Sequence, residues 1–126
     1  MISRFKLSVT PVGVAGSATA SATTSAPING RLLAVHCDFG ATAHANTDTT
    51  IATTSSPTTT ILTLTDTKTD GWYYPKHAIH GSTGTALVLN SDDDPMVDDY
   101  YLDDYIKVTL AESTAVASVF TFLVEV

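Results

Sequence analysis

Phe5, Leu7 and Val9 alternate with Arg4, Lys6, Ser8 and Thr10, and the alternation stops at Pro11. Side chains on an extended chain point alternately to opposite faces, so this spacing predicts a half-buried strand. The period recurs along the chain. After the turn signal Asn29-Gly30, Leu33, Val35, Cys37 and Phe39 alternate with Leu32, Ala34, His36 and Asp38, the pattern of a central strand. Shorter strands are expected at 49–54 around Ile51 and at 58–65 around Ile61, Leu62 and Leu64, with Ser55-Ser56-Pro57 between them. A hairpin is expected from 72–80 and 85–89 across Gly81-Ser82-Thr83-Gly84. Two last strands follow. One carries Ile106, Val108 and Leu110; the other, 116–126, carries Phe120, Phe122, Val124 and Val126, with 111–115 turning between them. No stretch shows sustained helical periodicity. The expectation is an all-β domain over residues 1–126, a single antiparallel β-sandwich of jelly-roll type with about eight strands.

Two stretches break the alternation. Residues 13–28 are mostly Gly, Ala, Ser and Thr, which offer little to bury, so a flexible loop or an arm ordered against a neighbour is expected. Residues 91–105 hold seven aspartates, Asp92, Asp93, Asp94, Asp98, Asp99, Asp103 and Asp104. That much charge predicts a long acidic surface loop.

Composition narrows the function classes. Six Lys and Arg against thirteen Asp and Glu leave a net charge of −7, the wrong sign for a direct nucleic-acid ligand, whose phosphates need a basic footprint. Cys37 stands alone, so no internal disulfide is available, and its apolar surroundings predict an inert, buried thiol. The opening residues carry no apolar leader and no run reaches membrane-spanning length. The expectation is a soluble protein that reaches its place by assembly or lysis, without a membrane partner.

The segment from Thr65 to Gly81 gathers the single Trp, two adjacent Tyr and two His. Trp72 and one of Tyr73 and Tyr74 are expected to anchor the core, with Trp72 and Tyr74 on one face of the strand and Tyr73 on the other. His77 and His80 could serve as metal ligands only if a turn brought both to one side together with His36 or His44, because a spacing of three in a strand puts them on opposite faces. The aspartate run lacks the spaced Asp-x-Asp-x-Asp-Gly order of a calcium loop, which favours a solvated or partner-facing loop. Tyr100, Tyr101 and Tyr105 are interleaved with those aspartates. Tyrosines on a charged segment either fold back on their own sheet or meet a partner. Trp72, Tyr73, Tyr74, His80, Tyr100, Tyr101 and Tyr105 are therefore the expected interface or core anchors. No nucleophile elbow, phosphate loop or His-Glu-x-x-His occurs, so no catalytic residue, cofactor or metal is expected and the chain reads as a non-enzyme.

The run Ile61-Leu62-Thr63-Leu64-Thr65, then Thr69-Asp70-Gly71-Trp72-Tyr73-Tyr74-Pro75, His80, a glycine turn and a closing Val-rich strand resembles small virion proteins of tailed bacteriophages that carry a DGWYYP hairpin. The nearest functional class is the capsid decoration, or cement, proteins. The likeness covers roughly the C-terminal half and the strand at 31–39; the aspartate-rich loop and the Ala/Ser/Thr stretch depart from it. It implies a homotrimer bound to the major capsid protein on the outer shell, made in the host bacterial cytoplasm and carried on the virion. The alternatives are a neck or tail connector and a carbohydrate-binding attachment module.

Overall fold

The computed structural model describes residues 1–88 and 95–126. Its described elements are all extended: β1 (Ile2–Val9), β2 (Ala18–Thr23), β3 (Ile28–Asp38), β4 (Asp48–Thr53), β5 (Thr60–Leu64), β6 (Gly71–Tyr73), β7 (Lys76–Ala78), β8 (Val97–Asp99), β9 (Tyr101–Asp104), β10 (Ile106–Ser113) and β11 (Ser118–Glu125). They form three sheets. The first runs β1-β11-β3-β6, with β9 also on β3; the second runs β2-β10-β4-β5; the third is β7-β8. All pairings are antiparallel.

This corrects the expected single jelly-roll sandwich of about eight strands. Strands that follow one another in sequence mostly lie in different sheets: β1 and β2, β3 and β4, and β10 and β11 are each split between the first and second. Residues 111–115 therefore do not turn a hairpin: 111–113 continue β10, and the chain crosses from one layer to the other between Ser113 and Ser118. The strand expected at 72–80 is cut into β6 and β7. Of the expected strand at 85–89, Ala86 and Val88 make isolated bridges, and Leu89 lies outside the described residues.

The first and second sheets share one core. Val35, Cys37, Phe120 and Phe122 from one meet Ile51, Ile106, Val108 and Leu110 from the other in a continuous buried cluster. Phe39 and Phe120 pack edge to face, 6.0 Å between ring centres. Each such side chain removed from water contributes about 1.5–3 kcal/mol. With Cys37 fully buried, its thiol is pushed up to about 12, chiefly by desolvation and then by the charge of Asp70.

Two segments expected to be irregular are partly strand. Within residues 13–28, Ala18, Ala20 and Ala22 turn inward while Thr19, Ser21 and Thr23 face out, and the segment pairs with β10 as β2. Alanine is small enough to let the second sheet close on the core at this edge, so alternation decides the structure where bulk is lacking. Within 91–105, β9 alternates Tyr101 and Asp103 outward with Leu102 and Asp104 inward; Asp92, Asp93 and Asp94 lie outside the described residues.

Asn29-Gly30 is no turn either, since both sit inside β3. Gly30 has φ +141°, and a Cβ there would stand 2.4 Å from the Glu125 carbonyl oxygen. Glycine is required at that position by the close approach of β11. One further irregularity organises the sheet. Leu123 of β11 faces Ala34 and Val124 faces Leu32, leaving Leu33 as an extra residue. This bulge switches the inward set of β3 from Ile28 and Leu32 to Val35, Cys37 and Phe39.

Phe122→Ala is expected to lower the unfolding free energy by about 3–5 kcal/mol. Trp72→Ala, at a side chain 40% exposed, is expected to cost less than half of that in a denaturant titration. Equal losses would contradict the assignment of faces.

Candidate functional site

β6 and β9 are two halves of one edge. β6 lies on Val35–Cys37 and β9 on Ile28–Arg31, and the chain between them leaves the sheet opposite Leu33 and returns at Tyr100. The described parts of that excursion form a small antiparallel arm. β7 pairs with β8, Ile79 N–H donates to Met96 O, Leu87 N–H to Ile79 O, and Met96 N–H to Leu87 O. None of its residues belongs to the shared core.

The base of the arm is a cluster of charge and aromatic rings. Asp99 is buried; its carboxylate accepts from Lys76 Nζ and lies 3.5 Å from Arg31 Nε. Arg31 also donates to Glu125 Oε2 at 3.1 Å, which raises its already high pKa through that bond and its charge. Arm and body are thus joined by ions from β7, β8, β3 and β11. The His77 ring packs on Tyr100 at 5.1 Å and sits 3.1 Å, through Nε2, from the Asp99 carbonyl oxygen. His77 is held by these contacts, and His80 is exposed.

The six residues from Asp70 to Pro75 enter this base. Asp70 accepts from the Phe39 N–H at 2.8 Å, fixing where β6 meets β3. Tyr73 turns inward against the core, and burial, with Cys37 and Asp70, raises its phenol pKa. Trp72 lies on the outer face, not in the core. Its ring meets His36 edge-on at 5.0 Å, and the Arg4 guanidinium sits 5.9 Å over it. Arg4 is on β1 and Trp72 on β6, so the two side chains together span β11 and β3 on the outer face. Tyr74 is 64% exposed. Leu87, Val88 and Val97 on the arm are also exposed apolar side chains.

The remaining tyrosines separate in the same way. Tyr100 packs against the core, whereas Tyr101 and Tyr105 face solvent. Between the last two, Asp104 folds inward and accepts from the Ser55 N–H (2.7 Å), the Ser55 hydroxyl (3.0 Å), the Thr54 hydroxyl (3.2 Å) and the Tyr105 N–H (2.7 Å). These donors, led by the Ser55 N–H, hold its pKa below the ordinary carboxylate value.

Spacing in the sequence did not reveal one acidic group. Asp48, Asp66 and Glu112 come from three separate segments, and their carboxylate oxygens lie within 4.8 Å of one another. Asp48 also accepts from the Asp66 N–H at 3.0 Å. Three carboxylates could supply part of the oxygen shell of a hard cation, with water providing the rest. Asp66 and Glu112 both have φ near +50°, and Glu112 falls in a bulge between Leu110 and Ser113 of β10. Only the fold brings the three together.

Because the Asp104 pKa is depressed in the folded chain, its contribution to stability is present above the ordinary carboxylate pKa of about 4. It is lost as pH falls through the depressed value. Asp104→Asn is expected to lower the melting temperature at neutral pH and to flatten its decline below about pH 4; an unchanged acid limb in thermal melts would contradict this assignment. Compared with protein-family models, with curated proteins and with solved structures, the chain shows no match.

Proposed function

We propose that this chain is a decoration protein of a tailed-bacteriophage capsid: a homotrimer that binds the major capsid protein on the outer shell and stabilises it. The proposal rests on the DGWYYP resemblance and on one observation that makes the motif suited to docking. Of its three aromatics, Tyr73 fixes the strand to the core while Trp72 and Tyr74 stay exposed where the arm leaves the sheet. Trp and Tyr at such a position give a large contact area at low entropic cost, as interface anchors do. The arm adds exposed Leu87, Val88 and Val97, apolar surface that a shell could cover.

The state of Trp72 favours a protein partner over a sugar. Arg4 lies over its ring and the His36 ring meets it edge-on, so a flat sugar would first have to displace a cation–π contact worth about 0.5–1 kcal/mol at an exposed site. A structural part on a lattice also tolerates weak single contacts, because the trimer and then the shell multiply them.

Shells lacking the protein, mixed with it and imaged, are expected to gain density at threefold or local threefold points. The double variant Trp72→Ala, Tyr74→Ala should bind at least about tenfold more weakly, the loss of a hot spot. No density on shells, or density confined to the tail vertex, would refute the decoration reading.

A further inference from the structure

The two borders of the first sheet differ in chemistry. At one border, β1 pairs with β11 on a single side. Met1 and Val126 exchange backbone hydrogen bonds, and the antiparallel alternation then directs the N–H and C=O groups of Ser3, Phe5, Leu7 and Val9 to β11. Those of Ile2, Arg4, Lys6 and Ser8 point outward, with no backbone partner among the described residues. At the other border, Leu32 N–H donates to Tyr100 O, so by the same alternation Tyr101 and Asp103 of β9 turn their backbone groups away from β3. Their side chains are exposed. One free edge is thus cationic in a chain of net charge −7, and carries two of its six basic residues. The other is acidic and aromatic.

We infer that β1 of one copy pairs with β9 of the next, joining copies head to tail through a shared sheet. β1 runs antiparallel to β11, β11 to β3, and β3 to β9, so β1 and β9 have opposite directions within one copy. Rotation about an axis parallel to the strands preserves those directions, and the contact between copies is antiparallel. The register that stays short of the arm sets Arg4 against Asp103 and Lys6 against Tyr101 on β9, and Ile2 against Tyr105 just beyond it. Arg4 exchanges its contact with Trp72 for an ion pair with Asp103, Lys6 and Tyr101 make a cation–π pair, and Ile2 and Tyr105 an apolar pair, each a favourable cross-strand combination. Ile2, at 57% exposure, and Tyr105, at 41%, would both be covered.

Pairing of β1 with itself about a twofold axis is disfavoured. In the corresponding register Arg4 meets Lys6, and like charges directly opposite destabilise a sheet. The contact is therefore heterologous, which closes into a ring when the rotation between copies divides a full turn, as the proposed homotrimer requires. It deepens only the oligomeric part of the proposed function. A chain that decorates shells as a monomer would refute the ring and leave the decoration reading standing, whereas a ring that ignores shells would do the reverse.

The test is the mass of the purified protein in solution, read beside two charge-reversed forms. The native chain is expected at a multiple of the single-chain mass. The double variant Arg4→Glu, Lys6→Glu and the variant Asp103→Lys are each expected at the single-chain mass with unchanged β-sheet circular dichroism. Mixing the two variants should restore an assembly, because each contact between unlike variants, two of the three in a threefold ring, again joins opposite charges. A native chain of single-chain mass, or an Asp103→Lys variant that keeps the native mass, overturns the inference. If charge reversal impairs folding, the native chain alone decides: the Arg4 and Lys6 amides should exchange slowly in concentrated solution and rapidly on dilution. Exchange that is independent of concentration also overturns it.

Discussion

The extra residue at Leu33 in β3 sets the plan of the first sheet. Without it, a strand that buries Ile28 and Leu32 would send Val35, Cys37 and Phe39 to the outer face, since a shift of one residue inverts every side chain. With it, both halves of β3 remain apolar inward, against β11 along one side. The other side cannot carry one continuous neighbour past the irregularity. Its partner is divided into β6 and β9, and the chain between them is released as the arm. Asp99, at the point of return, is held by Lys76 and Arg31. A carboxylate this buried needs such partners, because an unpaired buried charge is far costlier than a paired one.

The strands with strong apolar alternation were legible in the residues. Phe5, Leu7 and Val9, then Ile106, Val108 and Leu110, and then Phe120, Phe122 and Val124 form the inward faces their spacing predicts. Sheet membership was not legible, because period two says which face is buried but not which neighbour is paired; hence the jelly-roll expectation failed although the chain is all-β. β2 was hidden by composition, since Ala18, Ala20 and Ala22 give the right period with little hydrophobic contrast. The bulge was hidden because Leu32 and Leu33 are chemically equal and only the register with β11 distinguishes them.

The aromatic segment divides along the same lines. Alternation correctly separates Trp72 from Tyr73, but residue size suggested the wrong inward member: Tyr73 packs on the core and Trp72 lies outside under Arg4. Charge alone reads the acidic stretch as a surface loop, yet Asp99 and Asp104 are buried because cations or donors meet each: the Lys76 and Arg31 charges beside one, Thr54, Ser55 and Tyr105 donating to the other. Those donors are distant in sequence or backbone groups, invisible to a reading of composition. The acidic trio Asp48, Asp66 and Glu112 was equally out of reach. What emerges is a two-layer body whose edge is opened to carry an arm, with exposed aromatics gathered at the opening.

Native-state amide exchange across the whole chain tests that account most directly. If the body carries the fold and the arm is appended to it, amides in the ladders of β3, β10 and β11 exchange only through global unfolding. Those of Ile79, Leu87 and Met96, bonded only within the arm, then exchange through a separate, lower-energy opening. Protection of the arm amides equal to that of β3 and β11, and lost with them in one step, would contradict it.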